Sequence, residues 1–302
     1  MVPAMDPVEY DRTQPHQFGG VLPSPRTLAD SKAVILPVPF DRTTSYGQGT
    51  KHGPRELLLA SSQVELWDEE VGADVHPHGM FTLPELDLSA RTLDDAVAEI
   101  GRVTGHLLDA GKFLITLGGE HSITSPIVEA AAARHRGLSV LQIDAHADLR
   151  DSYLEEPHSH ACAMRRTLDH APLVQVGIRN LSEEEARAIP GLRTSVFYDW
   201  NMRNEPDWIE RAVGALSDTV YITIDLDGLE PGLMPAVGTP EPGGLSWREL
   251  MTLLRRTFET RRVVACDVVE LCPIPGVASP NFVAARLVYK LLTYKFGLVQ
   301  KT

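Results

Sequence analysis

Two β-forming stretches of this chain end on rows of carboxylates. Leu138–Ile143 runs into Asp144, His146 and Asp148 at alternate positions, and Val220–Ile224 runs into Asp225 and Asp227. A strand places residues i and i+2 on one face, so each strand end presents its ionisable groups side by side. Five metal-ligand side chains result, four of them carboxylates. Gathering such charge inside a fold is costly unless cations neutralise it. The chain is therefore constrained to a sheet whose strand ends meet around positive charge, and two divalent metal ions are its simplest source.

The remaining pattern supplies such a sheet. Strands are expected at Ala33–Val38, Phe113–Leu117, Leu138–Asp144, Leu173–Ile178, Ser195–Tyr198, Val220–Asp225 and Val263–Val269. Between them, helices are expected at Pro54–Leu66, Leu93–Ala110, Pro126–Ala133, Ser182–Ala188, Pro206–Leu216, Trp247–Thr257 and Asn281–Tyr294. Thr92 is the expected N-cap of the second helix. Strands alternating with helices imply an α/β fold with a parallel sheet covered on both faces. In such sheets functional groups gather beyond the C-terminal ends of the strands, where the aspartate rows lie. Residues 1–30 are polar and Pro-rich and read as an N-terminal arm on the surface, while 31–302 show no composition break, repeat or linker and read as one catalytic domain.

Composition narrows the partners. With 41 acidic against 28 basic residues the net charge is −13, which argues against nucleic acid or an anionic membrane and suits a small cationic substrate. No stretch approaches the ~20 apolar residues that span a bilayer, and the N-terminus lacks the pattern of a signal peptide. Cys162, Cys266 and Cys272 form no metal-knuckle spacing and no disulfide framework, so a cytoplasmic protein with reduced thiols is expected.

A third strand end joins the first two. Phe113–Leu117 leads through Gly118, Gly119 and Glu120 to His121, and the two glycines permit a tight turn beneath a ligand. Each element has a blander reading by itself: a loop histidine, a helix cap, a turn after a strand. Together His121, Asp144, His146, Asp148, Asp225 and Asp227 form a candidate ligand set of four carboxylates and two imidazoles without a thiolate, which suits Mn²⁺ better than structural zinc. Two metals ~3.5–4 Å apart can activate a shared water for attack on carbon or phosphorus. Asp225-Leu226-Asp227-Gly228 resembles the opening motif of haloacid-dehalogenase-type phosphatases, but too little chain follows for their remaining machinery. The Gly-Asp and Gly-Asn-His segments of metallophosphoesterases have no convincing equivalent, and no glycine-rich phosphate loop is present.

The ordered motifs resemble the ureohydrolase family of arginases and agmatinases, through most of the chain. The resemblance is carried by Val38–Asp41 with Gly49–Arg55, by Gly118–Ser122, by Asp144–Asp148, by Asp225–Pro231, by Gly238–Leu245 and by Asp267–Pro273. It implies a three-layer α/β/α sandwich around a mostly parallel sheet of about eight strands. It also implies two Mn²⁺ per subunit, with Asp144 and Asp225 bridging, His121 and Asp148 completing one metal, and His146 and Asp227 the other. By the same resemblance Glu270 holds the substrate guanidinium, His160 rather than the neighbouring His158 transfers a proton, and Thr239 lines the site. Arg150 stands where arginases carry an asparagine that contacts the substrate's carboxylate, so it is also expected to face the substrate. The acidic loop from Asp148 to His160 and the run from Ser159 to Arg166 are similar to agmatinase-like members. The expected reaction is hydrolysis of agmatine to putrescine and urea. Aminopropylagmatine, guanidinobutyrate and arginine are the alternative substrates, and a metallophosphoesterase is the alternative reaction. The family likeness further implies a homo-oligomer, trimeric or hexameric.

Overall fold

Runs of β-branched and aliphatic residues build the middle of the molecule. The computed structural model describes residues 17–20 and 27–298. The strands are β1 (Ala33–Val38), β2 (Trp67–Asp68), β3 (Ala73–Asp74), β4 (Met80–Thr82), β5 (Phe113–Gly118), β6 (Leu138–Ile143), β7 (Leu173–Ile178), β8 (Thr194–Tyr198), β9 (Thr219–Asp225) and β10 (Arg262–Val269). The helices are α1 (Gly53–Ser61), α2 (Leu93–Asp109), α3 (Thr124–Ala132), α4 (Ala163–Thr167), α5 (Glu183–Ala188), α6 (Asp199–Met202), α7 (Trp208–Ala215), α8 (Trp247–Thr260) and α9 (Ser279–Gly297).

Eight strands form one sheet in the order β4-β1-β5-β10-β9-β6-β7-β8, and every pairing in it is parallel. Every residue of β5, β6, β7 and β9 is buried. That explains why these strands read as continuous apolar runs rather than alternating ones. Successive side chains feed two cores. Ile35, Ile115 and Ile222 pack with Leu57, Leu253 and Leu291 on one face. Val34, Leu114 and Tyr221 pack with Ile100, Ile127 and Met164 on the other. Helices α1, α7, α8 and α9 thus cover one face and α2, α3 and α4 the other, giving the three-layer α/β/α sandwich.

Local chemistry sets the element ends. Thr92 caps α2 by accepting the Asp95 N–H, and capping boxes of Ser182 with Glu185 and Ser246 with Glu249 open α5 and α8. Helix α1 stops at Ser61, short of the expected Leu66. The Ser61 and Ser62 hydroxyls bond back to the carbonyls of Leu58 and Leu59, a side-chain alternative to further helix. The chain then forms the β2–β3 hairpin, which α9 clamps through Lys290, whose Nζ lies 3.0 Å from both oxygens of buried Asp68. The edge strand β4 is only three residues long and carries no pattern of its own; pairing of Met80 with Ala33 defines it.

The arm expected over residues 1–30 lies mostly outside the described residues. Within it, Phe18 is buried and its N–H donates to Thr82 Oγ1 at 2.9 Å. Among the described residues no helix is long and apolar enough to cross a membrane.

Candidate metal centre

The register of the four central strands aligns the functional ends. Ile143 pairs with Ile224, Asp225 with Val269, and Val268 with Leu117. Asp144, Asp225, Glu270 and the segment reaching His121 therefore leave the sheet side by side. Two glycines allow the segments to close. A Cβ on Gly119 would sit 1.9 Å from the Phe40 carbonyl oxygen, and one on Gly228 would sit 2.8 Å from the Asp144 nitrogen. Two site carboxylates occupy left-handed backbone, Asp148 at φ 53° and Glu270 at φ 67°. Aspartate tolerates this region better than glutamate. Such strain, ~1–3 kcal/mol per residue, concentrates where function requires a fixed side-chain direction. The Glu270 N–H donates to the Gly119 carbonyl at 2.7 Å, and Oε1 of Glu270 accepts the His121 N–H at 2.7 Å.

The carboxylates surround two imidazoles. His121 Nδ1 lies 3.0 Å from Asp148, 3.1 Å from Asp144 and 3.3 Å from Asp225. His146 Nδ1 lies 2.9 Å from Asp227 Oδ2 and 3.7 Å from Asp144 Oδ1. Asp144 thus turns one oxygen to each histidine. Backbone N–H groups fix the carboxylates: His146 donates to Asp144 at 2.6 Å, Ala145 to Asp227 at 3.1 Å, and Asp227 to Asp225 at 2.9 Å. Behind His121, Nε2 lies 2.9 Å from the Thr223 hydroxyl. That hydroxyl donates to Asp267 at 2.6 Å, and Tyr221 and Thr124 donate to the other Asp267 oxygen at 2.6 and 2.9 Å.

Crowding perturbs the protonation of every one of these groups that shifts. Burial disfavours the His121 and His146 imidazolium forms, yet the surrounding carboxylates overcome it, raising His121 well above its usual value and His146 up to about 12. Burial and the Asp144 charge push Asp148 up to about 6. Burial with Asp227 and Asp144 raises Asp225, and burial with Glu120 raises Glu270. Removal from water raises Asp144 too, but its two histidines reverse the sign and leave it lowered.

These residues fit metal ions. His121, Asp144 and Asp225 form one group whose ligand atoms lie within 4.8 Å of each other, and Asp144, His146 and Asp227 form a second. The two groups share Asp144. His121 Nδ1 is a buried nitrogen without a hydrogen-bond partner, aimed into the first group. The donors are oxygens and imidazole nitrogens, which suit divalent cations of the Mn²⁺ kind.

Above the cluster lies a pocket of about 210 Å³. His121, His146, Asp148, Asp225, Asp227, Glu270, His160, Thr239 and Arg150 all line it, and Asp144 lies buried beneath. Thr239 Oγ1 is 3.4 Å from Asp227 Oδ2. His160 packs against the Tyr153 ring at 5.9 Å, whereas His158 lies outside the lining, near Asp94. Burial and the nearby His121 and His146 push His160 down to about 4. The Arg150 guanidinium lies over Tyr153 at 5.2 Å and 3.9 Å from Glu185, so its charge is partly compensated.

Sequence reasoning did not single out Thr43, Glu120, Tyr153, Glu185, Thr223 or Asp267. Asp267 carried a signal as an acid within the apolar run of β10, and Glu120 lay inside the Gly118–Ser122 motif.

Comparison with known proteins places the chain among relatives. The sequence profile of the arginase family matches residues 31–293. The chain is 42% identical to N(1)-aminopropylagmatine ureohydrolase of Synechocystis sp. over 89% of this chain and 90% of that protein. It is 37% identical to the protein of the same name from Thermus thermophilus, over 88% and 91%. Among solved structures, agmatine ureohydrolase of Thermoplasma volcanium superposes with a TM-score of 0.82 at 31% identity, covering 89% of this chain and 92% of that one.

Proposed function

Because this chain belongs to the arginase family and is a ureohydrolase, hydrolysing C–N bonds of linear amidines, we propose that it holds two Mn²⁺ ions and releases urea from N(1)-aminopropylagmatine or agmatine. The observation that carries the reaction is the pair of ligand groups sharing Asp144 at a pocket that Glu270 also lines. In this reading His121, Asp144, His146, Asp148, Asp225 and Asp227 would hold the ions, Asp144 and Asp225 being shared between them, with His121 and Asp148 serving one and His146 and Asp227 the other. A bound pair of this kind generates a nucleophile from water near neutral pH.

The protein's own groups do the rest. Glu270 pairs with the guanidinium through charge-assisted hydrogen bonds, its direction set by the strained backbone and the His121 N–H. The water oxygen adds to the guanidinium carbon, and the bond from that carbon to the alkyl nitrogen breaks. His160, held neutral by burial, carries one proton of the attacking water to the departing nitrogen, and the second water proton follows to that nitrogen as the carbonyl of urea forms. Urea and a protonated primary amine result. The substrate choice is supported by the higher identity to the two aminopropylagmatine ureohydrolases than to the agmatine-acting structural relative. Compensation of Arg150 by Glu185 and Tyr153 also favours a substrate whose far end is cationic over one ending in a carboxylate. The reading includes a cytoplasmic homo-oligomer. A urea-release panel with the Mn²⁺-loaded enzyme tests it: aminopropylagmatine and agmatine should exceed arginine and guanidinobutyrate in kcat/KM. Preference for guanidinobutyrate, or phosphate release from a generic ester without urea from any guanidine, would overturn it.

A further inference from the structure

A carboxylate that the reaction above does not use sits one residue before His121. Glu120 is fully buried, and its partners are hydrogen-bond donors: the Thr43 N–H at 2.7 Å, the Thr43 hydroxyl at 2.9 Å and the Ser122 hydroxyl at 2.8 Å. It holds Thr43 by both backbone and side chain. Thr43 in turn holds His160 twice, since the His160 N–H donates to Thr43 Oγ1 at 2.9 Å and His160 Nδ1 lies 3.2 Å from the same oxygen. The segment carrying Thr43 is fixed from its other side by Arg42, which donates to the Leu88 and Arg91 carbonyls.

Proton counting gives this chain of contacts a direction. A threonine hydroxyl has one proton to donate and two lone pairs with which to accept. The Glu120 carboxylate accepts, so the Thr43 proton points to it. The His160 N–H only donates, so it takes one Thr43 lone pair. The second lone pair faces Nδ1, which must then carry the imidazole proton. The other neighbour of Nδ1, the Ser159 hydroxyl at 3.4 Å, is more distant.

We propose that Thr43, oriented by Glu120, is a positioning residue that fixes His160 as the Nδ1–H tautomer and leaves the Nε2 lone pair for the substrate pocket. The inference rests on the reading of His160 as the proton carrier. It deepens that reading by assigning the atom: Nε2 takes the proton from water and returns it to the leaving nitrogen, while Nδ1 keeps its own. Tyr153, edge-on to the ring at 5.9 Å, limits rotation out of this orientation. Because Glu120 adjoins His121, one short segment supports both the proposed metal site and the proton carrier.

The test joins spectroscopy to kinetics. In ¹⁵N-histidine-labelled Mn²⁺-free protein, long-range ¹H–¹⁵N spectra, assigned through H160A, should show His160 protonated at Nδ1. T43V should convert it to the Nε2–H form or a mixture, and T43S should retain it. T43V should lower kcat by about tenfold or more, part of the effect of a positioned acid–base group, with KM within twofold and bound Mn²⁺ unchanged. T43S should stay within about threefold of wild type. On an H160A background T43V should change nothing further. An Nε2–H tautomer in the wild-type protein would overturn the inference whatever the activity. So would an H160A loss to which T43V adds undiminished, or a T43V defect that appears as lost Mn²⁺. If H160A itself kept wild-type kcat, the proton-carrier reading would fail first, and the inference with it.

Discussion

Replacing Thr223 by valine removes one hydroxyl and almost no volume, and besides a 3.4 Å contact with the Thr124 hydroxyl it cuts two shorter contacts behind the proposed metal site. His121 Nε2 loses its partner at 2.9 Å, and Asp267 Oδ1 loses its donor at 2.6 Å. Partners that orient a metal-binding histidine typically contribute 10–100-fold to metal affinity, or ~1.4–2.8 kcal/mol at 1.4 kcal/mol per tenfold. Asp267 keeps Tyr221 and Thr124 on its other oxygen, so one oxygen of a fully buried acid is left unsatisfied. That should destabilise the metal-free protein by ~1–3 kcal/mol. Mn²⁺ titration of chelator-treated protein, followed by the electron paramagnetic resonance signal of free Mn²⁺, separates the two effects from denaturant unfolding of the same sample. The expected result is one Mn²⁺ weakened 10–100-fold, the other changed less than threefold, and full recovery in T223S. Equal weakening of both ions, or of neither, would refute the assignment of Thr223 to the His121 side of the site.

Further outcomes follow from the same geometry. E270Q should lower kcat/KM for agmatine or its aminopropyl derivative by roughly 10–100-fold, the worth of a charge-assisted contact, while still binding two Mn²⁺ and without a lower melting temperature; loss of bound metal would contradict the substrate-holding role. In the metal-free protein, folded-state values raised above the unfolded ones, Asp148 to about 6 and His146 to about 12, contribute stability that is complete below the unfolded values. That stability is lost as pH rises through the folded values, because the folded state holds the protons longer. Metal-free protein should therefore melt lower at pH 8 than at pH 5.5, and the rise in Tm on adding Mn²⁺ should grow over that interval; calorimetry showing the opposite trend would remove the electrostatic account. Far from the site, K290A removes the nearer of two cations from the buried Asp68 carboxylate, leaving Arg286 at 3.4 Å, and should cost ~1–3 kcal/mol in denaturant unfolding. Loss below 1 kcal/mol would show that the hairpin is not clamped to α9 through this pair.

The layout was legible in the sequence where periodicity and chemistry coincide. The aspartate rows announce themselves because alternate strand residues share a face, and a charged row after an apolar run is too costly to bury without a cation. Helices α2 and α8 were visible in their apolar spacing, and Thr92 in its capping position. His121 could be placed because two glycines follow a strand and precede it. Other features are written in no local pattern. The β4 edge strand is too short to show alternation, and the end of α1 depends on two serine hydroxyls competing for carbonyls. Thr43 meets Glu120 and His160 across 77 and 117 residues of chain, and no spacing rule reaches that far. Thr223 looks like any β-branched strand residue until Asp267 and His121 are found on either side of it. The compensated state of Arg150 likewise depends on Glu185, whose place in a capping box says nothing of the pocket it borders.

The central claim is that three strand ends bring His121, Asp144, His146, Asp148, Asp225 and Asp227 around two Mn²⁺ ions. Anomalous diffraction at the manganese edge from Mn²⁺-soaked crystals tests it most directly. Two peaks at Asp144, one toward His121 and Asp148 and one toward His146 and Asp227, are the predicted result. A single peak, or manganese bound elsewhere while these six side chains keep to hydrogen bonds among themselves, would contradict it.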